Sequence, residues 1–437
     1  MSKTYKPYQP EQDLLLPPSL KDWLPEKHLA YFVSEVVDEL DLSGIYAVYE
    51  RDERGQPPYD PRMMTKLLVY GYCVGVYSAR KMAQRLAEDV AFRVLAAGNE
   101  PDFRTIADFR KIHLGVLKGL FEQVLKMARE AGAVKLGRVA LDGSKIKANA
   151  SKHKAMSYER MGEQEKLIRK QVKEMLQRAE ATDAEEDARY GKDSAGDELP
   201  EELQRRETRL KRIREAKRAL EARARAKAEK EGRAVEKAQP EAKDQYNFTD
   251  PESRIMKDGA TKEFVQAYNA QVVVEPGMQL IVGQAVTQAA NDKEQVVPMM
   301  EAVEEQSGQR PEAVLADSGY CSEKNLEHLE SAAQPEQRIE AFLATERQTH
   351  GERRGAGRGP LPKGATRVER MKRKLETKAG AAIYGARKGI VEPVFGQIKQ
   401  ARGFRRFSLR GFEKVRAEWA LVCAAHNLLK MYRAGWA

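Results

Sequence analysis

The chain has little cysteine: three residues, Cys73, Cys321 and Cys423, in a length of 437. They lie far apart and in none of the spacings that hold a metal ion, which excludes a disulfide framework and indicates a reducing compartment. Long apolar runs are missing too, since no stretch of about eighteen apolar residues occurs, so a membrane span is not expected. Residues 1–10 are polar and lack the apolar core of a secretory signal. We expect a soluble protein.

Charge, by contrast, is abundant and unevenly placed. Charged residues make up 32% of the chain, and the formal net charge is +10. Residues 351–437 carry 21 Lys and Arg against 6 Asp and Glu. This local excess of 15 is larger than the net charge of the whole chain. A concentrated basic segment favours a polyanionic partner through the release of counterions, although a solubilising or disordered tail has the same composition.

The N-terminal part, residues 1–135, reads as a series of helices. Asp60 and Pro61 have the arrangement of a helix start, with an acid at the cap and proline at the first helical position. One long helix is expected from Thr105 to Leu120, because apolar residues recur there at helical spacing. Short helices joined by tight turns suit a DNA-binding and dimerisation domain of the helix-turn-helix kind. They suit any other small helical bundle equally well.

A highly charged segment, residues 152–243, interrupts the pattern that surrounds it. It is dense in Ala, Glu, Lys and Arg, and Leu203, Leu210, Ile213 and Leu220 follow one another at steps of seven, three and seven. This spacing predicts an inserted helical hairpin of the coiled-coil type, with its turn among the helix-breaking residues of 190–200. The alternative is a single charged helix or partial disorder.

The segments on either side of the insertion, residues 136–151 and 244–400, read as alternating strands and helices. Residues 265–274 and 280–286 flank a turn sequence and predict an antiparallel hairpin. The whole order suits an α/β domain, a mixed sheet with helices on its faces. It is the order expected of a ribonuclease-H-like domain whose first strand is followed by an insertion. Residues 401–437 are expected to form a basic helical tail.

Two aspartates follow apolar strand patterns in the same way. Asp142 comes directly after Val-Ala-Leu at 139–141, and Asp317 comes directly after Val-Leu-Ala at 314–316. A carboxylate at the end of a buried strand is costly to desolvate unless it is paired or binds a cation. If the strands are neighbours, the two carboxylates repel each other, and oxygen ligands without histidine suit Mg²⁺ or Mn²⁺. Each aspartate alone could instead open a turn or cap a helix.

A third aspartate, Asp292, is interpreted as a helix cap. The sequence NDKEQ that contains it precedes an apolar helix pattern and holds two overlapping capping boxes. The third carboxylate of a metal site is therefore sought in residues 383–402, where Glu392 has apolar neighbours. Lys399 follows two helical turns later, on the same face, where it could bind a phosphate. Pro393 must either kink this helix or stand at its start. A surface helix of ion pairs is the alternative.

Together these segments resemble bacterial insertion-sequence DDE transposases. The resemblance is carried by ALDGSKIKANAS at 140–151, VLADSGY at 314–320, and Tyr384, Arg387, Glu392 and Lys399. The last four are similar to the Tyr-Arg-Glu-Lys signature of one branch, and residues 57–111 resemble the N-terminal domain of the same enzymes. In the usual signature the arginine lies one residue nearer to the glutamate, where this chain has Lys388.

The resemblance implies a metal-dependent phosphoryl transfer, which cleaves DNA strands at the ends of a mobile element and transfers them. In that chemistry two divalent ions, Mg²⁺ or Mn²⁺, lie roughly 3.5–4 Å apart and clamp the attacking and leaving oxygens. Asp142, Asp317 and Glu392 would be the catalytic metal ligands, with Asp142 bridging both ions. The implied DNA contacts are Lys399, Tyr384, Arg387, Arg402, Arg405 and Arg406.

The partners implied are double-stranded DNA, as element ends and as target, and a second copy of the chain, because cutting two ends suggests a homodimer. Such a protein is expected in the bacterial cytoplasm, associated with the nucleoid. Two alternatives stay open. One is a ribonuclease-H-like DNA nuclease without strand transfer, and the other is a catalytically inactive DNA-binding protein that uses the basic segment.

Overall fold

The structure is a computed structural model that describes residues 19–50, 57–190, 201–259, 261–330, 338–346 and 361–436. Its helices are α1 (Leu29–Glu39), α2 (Ser43–Tyr49), α3 (Pro61–Cys73), α4 (Ala79–Glu88), α5 (Val90–Leu95), α6 (Phe103–Ile112), α7 (Leu114–Glu130), α8 (Tyr158–Tyr190), α9 (Glu201–Lys230), α10 (Val296–Ser307), α11 (Glu323–Glu330), α12 (Arg367–Glu376), α13 (Lys378–Gly385), α14 (Arg387–Gly396) and α15 (Phe412–Arg433). Its strands are β1 (Arg138–Lys147), β2 (Ala155–Ser157), β3 (Gln245–Asn247), β4 (Arg254–Lys257), β5 (Phe264–Val274), β6 (Ile281–Thr287), β7 (Ala313–Ala316) and β8 (Glu340–Leu343).

The start of α3 follows from its sequence. Pro61 is the first helical residue, and the Asp60 carboxylate accepts hydrogen bonds from the backbone N–H groups of Arg62 and Met63 at 2.7 and 3.0 Å. These bonds satisfy two donors that have no partner within the helix. The predicted helix start is therefore confirmed.

The single long helix predicted from Thr105 is wrong. The Asp102 side chain caps α6, which ends at Ile112, and α7 continues from Leu114. The break falls at His113, which is buried and lies 3.1 Å from the Tyr49 hydroxyl. A contact with a residue so far back in the chain cannot be read from helical spacing.

β5 is the long strand at the centre of the sheet. It pairs antiparallel with β1 on one side and with β4 and β6 on the other, and β7 and β8 continue beyond β1 as parallel neighbours. The predicted antiparallel hairpin is confirmed as β5 and β6. All four residues of β7 are buried, as expected of a strand enclosed within a covered sheet. This mixed α/β arrangement is compatible with the ribonuclease-H-like fold of transposases.

The insertion leaves and re-enters the domain at one place, because β2 and β3 pair antiparallel with Met156 opposite Tyr246. Beyond this ribbon, α8 and α9 pack against each other through a separate apolar cluster that includes Met161, Ile168, Leu210, Ile213 and Leu220. The last three are residues of the predicted heptad-like spacing. The supercoiling of a true coiled coil stays a prediction, and the predicted turn at 191–200 lies outside the described residues.

Glu165 adds an ionic contact between the two long helices. Its carboxylate accepts hydrogen bonds from Lys217 at 2.9 Å and Arg214 at 3.1 Å, both on α9, and from Arg169 on its own helix. The bond from Lys217 is the largest cause that lowers the pKa of Glu165 to about 2. This carboxylate therefore adds an ionic contact between α8 and α9, away from the main sheet.

α15 lies in the same apolar cluster as the N-terminal helices and the sheet. It packs against α7, α3 and β6, and Trp419 at its middle is fully buried. The basic C-terminal segment thus contains a helix that belongs to the core. In the described ranges, no helix has the length and apolar character that crossing a bilayer requires.

Candidate active site

The two predicted aspartates lie on neighbouring strands. β1 and β7 pair in parallel, with Ala140 opposite Leu315, and the same register continued by two residues aligns Asp142 with Asp317. Asp317 directly follows β7, as predicted. The expectation that Asp142 ends its strand is wrong, because β1 continues to Lys147 through its pairing with β5.

Local backbone groups hold both carboxylates. Asp142 Oδ1 accepts a hydrogen bond from the Gly143 N–H at 2.8 Å, and Asp317 Oδ1 accepts one from the Gly319 N–H at 2.8 Å. Burial raises the pKa of Asp142 to about 6; the positive charge of Arg387 opposes this shift, and the negative charges of Asp317 and Asp292 add to it. The environment of Asp142 therefore disfavours its charged form unless a cation is near.

Arg387 supplies one cation, which offsets the effect of burial on Asp142 only in part. Its Nη1 lies 3.4 Å from Asp142 Oδ2 and its Nη2 lies 3.8 Å from Glu392 Oε1, while only 8% of its side chain is exposed. The Tyr384 side chain shares a hydrogen bond with it. Of the two basic residues near the signature spacing, Arg387 faces the aspartates and Lys388 is exposed.

Glu392 lies in α14, and the same Arg387 guanidinium contacts it through Nη2 and Asp142 through Nη1. Pro393 stands inside α14 and cannot donate to the Gly389 carbonyl four residues before it. The Gln279 side chain donates to that carbonyl instead, at 2.8 Å. The predicted alternative of a helix that passes through Pro393 is therefore correct, and a π-helical turn follows at Gln397–Ala401.

The three predicted carboxylates do not surround a common point. Glu392 is 55% exposed, and among the described residues no three Asp, Glu, His or Cys side chains are grouped so that they could hold a metal ion. The donor chemistry nevertheless fits Mg²⁺ or Mn²⁺, because the carboxylates of Asp142 and Asp317 are adjacent hard oxygen donors and Glu392 adjoins them across one cation.

The predicted DNA contacts differ in their surroundings. Lys399, in the π-helical turn, donates from Nζ to Ser144 Oγ at 3.0 Å, which places it beside the strand of Asp142. Arg405 and Arg406 are exposed. Arg402 instead points into the protein: its Nη1 contacts the Val422 carbonyl at 3.4 Å and its Nη2 is buried without a hydrogen-bond partner. This arrangement does not suit Arg402 to contact a DNA backbone.

The interpretation of Asp292 as a helix cap is wrong. α10 begins four residues later, at Val296, and no side-chain hydrogen bond caps it. The Asp292 carboxylate accepts hydrogen bonds from Lys145, Asn269 and Gln271 instead. Sequence reasoning missed this residue because its partners lie on β1 and β5, and the capping pattern around it is strong.

The raised pKa of Asp142 predicts how the stability of the protein without bound metal ions changes with pH. A group whose pKa is higher in the folded state destabilises that state once it is ionised, so stability is lost as pH rises from about 4 through 6. Asp142→Asn should therefore raise the free energy of unfolding at pH 7.5, by on the order of 2 kcal/mol. The gain should vanish at pH 4. Urea denaturation at both pH values checks this, and an unchanged or lower stability at pH 7.5 contradicts it.

A family model described as Transposase DDE domain matches residues 235–428, and one described as Transposase domain (DUF772) matches residues 18–112. The first match includes Asp317 and Glu392, whereas Asp142 and the helical insertion lie largely between the two. No curated protein and no solved structure matches the chain. Neither match identifies the branch with the Tyr-Arg-Glu-Lys signature, which stays a prediction. The two transposase domains, in this order along one chain, show that it belongs to the DDE transposases of insertion sequences.

Proposed function

We propose that this transposase cleaves DNA strands at the ends of a mobile element and joins the freed ends to a target duplex, with Asp142, Asp317 and Glu392 as its catalytic carboxylates. The observation that carries the proposal is the alignment of Asp142 and Asp317 on paired parallel strands, with Glu392 separated from Asp142 by a single guanidinium. Burial also raises the pKa of Asp142, and groups with shifted pKa values are frequent at catalytic sites, which adds support to this assignment.

Two Mg²⁺ or Mn²⁺ ions held by Asp142, Asp317 and Glu392 would supply Lewis acidity at the attacking and leaving oxygens of the phosphodiester. Asp142 would hold the ions together with Asp317 on the neighbouring strand and with Glu392, to which it is connected through Arg387. Glu392 can bind the same ions as the two aspartates only when Arg387 no longer separates it from Asp142. The exposed side chain of Glu392 leaves it free to make that approach.

Each proposed step is an in-line displacement at phosphorus. A water oxygen forms a bond to phosphorus, the bond to the 3′ oxygen breaks, and the products are a 5′ phosphate and a 3′ hydroxyl. That hydroxyl then attacks a target phosphodiester in the same way and releases a target 3′ hydroxyl. No net oxidation or reduction occurs, and the proton that the attacking oxygen loses is balanced by the proton that the leaving 3′ oxygen takes up.

Basic and polar residues around the carboxylates are proposed to hold the DNA backbone. Lys399 presents a point charge beside Ser144, and Arg387 with Tyr384 lies at the carboxylates themselves. Arg405 and Arg406 extend the positive surface along the end of β1, where the backbone of residues 405–407 is hydrogen-bonded to Lys147. Contacts of this kind position the DNA without reading its sequence.

We infer separate roles for the other parts of the chain. Residues 1–135 are proposed to bind the element ends and to dimerise, and the insertion is proposed to contact a partner protomer or a DNA end within a homodimer. Replacing residues 157–238 by a short Gly-Ser linker should leave Mn²⁺ binding intact but weaken the assembly of the protein with two element ends. Gel-shift and light-scattering measurements check this. Unchanged assembly and unchanged cleavage would mean that the insertion is dispensable.

The proposed function is tested with a donor duplex that carries an element end and a label at that end. With Mg²⁺ present, the full chain should nick the duplex and then give a labelled product joined to an unlabelled plasmid. Nicking without joining supports the nuclease alternative. Binding of the duplex with neither reaction supports an inactive DNA-binding protein, and either result overturns the proposal.

A further inference from the structure

Asp292 lies at the centre of a polar network close to Asp142 and Asp317. Its Oδ1 accepts hydrogen bonds from Asn269 Nδ2 at 2.6 Å and Gln271 Nε2 at 2.8 Å, and Lys145 Nζ lies 3.2 Å from both of its oxygens. Asn269 and Gln271 are fully buried on β5, and Lys145 stands on β1, three residues after Asp142. The carboxylate therefore connects the segment before α10 to the strand that carries Asp142.

The same network reaches the loop that carries Asp317. Gln271 Oε1 accepts a hydrogen bond of 2.5 Å from the hydroxyl of Tyr320, a fully buried residue three positions after Asp317. Asn325 on α11 makes a second connection, since its Nδ2 donates to the carbonyl oxygens of both Lys293 and Tyr320, at 2.6 and 2.7 Å. The residue next to Asp292 is thus tied to the end of the Asp317 loop.

Gly143, the residue after Asp142, shows how closely β1 approaches Gln271 and Asp292. A Cβ atom added there would lie 2.2 Å from Gln271 Nε2 and 2.9 Å from Asp292 Oδ1. No side chain fits at this position. The backbone of β1 therefore lies directly against the network, next to Asp142. The distance from Asp292 to the strand that carries Asp142 is therefore fixed by direct contact.

We propose that Asp292 is a positioning residue for the metal-binding pair Asp142 and Asp317: through Lys145 and Gln271 it fixes β1 relative to the loop after β7. This inference rests on the proposed function. Asp292 acts through other side chains, because three donors already occupy its carboxylate. Partners of this kind, which orient metal ligands without binding the metal, typically change metal affinity by about 10–100-fold when removed.

The test measures Mn²⁺ binding to the full-length protein by electron paramagnetic resonance of the free ion, together with thermal unfolding. Asp292→Asn keeps the shape of the side chain but loses the charge that holds Lys145, and it should weaken Mn²⁺ binding about tenfold or more. Lys145→Met should weaken it similarly. The double variant should bind Mn²⁺ only slightly more weakly than either single variant, because both changes disrupt one network.

Glu165→Gln is the matched control. Glu165 also accepts hydrogen bonds from three side chains, Lys217, Arg214 and Arg169, but it lies in the insertion. This change should lower the unfolding temperature without altering Mn²⁺ binding. A purely structural role for Asp292 would give the same pattern, with wild-type Mn²⁺ affinity in Asp292→Asn or Lys145→Met, and would overturn the inference.

A further comparison separates this inference from the proposed function. Asp142→Asn should lose most Mn²⁺ binding. If it does while Asp292→Asn and Lys145→Met bind like the wild type, only the positioning role fails. If the unsubstituted protein binds no Mn²⁺, the metal site itself fails, and the inference is overturned with it.

Discussion

Replacing Asp142 by asparagine is expected to reduce strand cleavage by at least about a thousandfold. The amide keeps the shape of the side chain but removes the negative charge that a divalent cation requires. Asp317→Asn and Glu392→Gln should have effects of the same order, because each carboxylate is proposed to complete a shared ligand set. The measurement is the initial rate of nicking of the labelled donor duplex at saturating Mg²⁺.

Two controls make this result interpretable. DNA binding should be unchanged in all three variants, since the basic residues remain, and Asp142→Asn should be at least as stable as the wild type at pH 7.5. Glu413→Gln is the matched substitution: Glu413 is a largely exposed glutamate that pairs with Arg416 on α15 at 3.1 Å, and its loss should leave cleavage unchanged. Retained cleavage in any one carboxylate variant would remove that residue from the proposed site.

Replacing Arg110 by methionine is expected to lower the free energy of unfolding by about 3 kcal/mol. Glu418 on α15 is fully buried and accepts hydrogen bonds from the Tyr72 hydroxyl and from the Ser408 and Leu409 backbone. Arg110 is the principal cation near it, which opposes the effect of burial on the pKa of Glu418. Without Arg110, a buried negative charge would have no countercharge from α6.

The pH dependence identifies the cause. Burial raises the pKa of Glu418, and loss of Arg110 raises it further. The loss of unfolding free energy caused by Arg110→Met should therefore be small near pH 4, where the Glu418 carboxyl group is mostly protonated in both the folded and the unfolded protein. The loss should grow as pH rises. Urea denaturation at pH 4 and pH 7.5 measures it. Arg110→Met combined with Glu418→Leu should recover part of the loss. A deficit that is equal at both pH values would contradict the electrostatic explanation.

The elements whose residues interact with near neighbours could be predicted from the sequence. The cap at Asp60, the hairpin of β5 and β6, and the apolar strand before Asp317 all follow from spacing and turn chemistry within about ten residues. The closeness of Asp142 and Asp317 was expected only if their two strands are neighbours, and the parallel pairing of β1 with β7 meets that condition.

Positions set by distant contacts could not be predicted. β1 continues past Asp142 only because β5, more than a hundred residues later, pairs with its polar half. Asp292 looks like a cap since its donors Lys145 and Gln271 are invisible in the local pattern. Arg402 lies in a basic segment, yet its side chain is directed toward Val422. In each case the sequence gives the residue type and the tertiary fold decides its environment.

The ribbon of β2 and β3 has a consequence for the order in which the chain folds. β1 must find β5 across a long stretch of chain, and closing such a loop is entropically costly and slows folding. The helices of the insertion make contacts between residues much nearer in sequence than those of β1 with β5. Once these helices pack and Met156 pairs with Tyr246 in the ribbon of β2 and β3, only a few short segments between β1 and β5 remain to be ordered. We therefore expect the insertion to fold early and to shorten the search of the first catalytic strand for its partner.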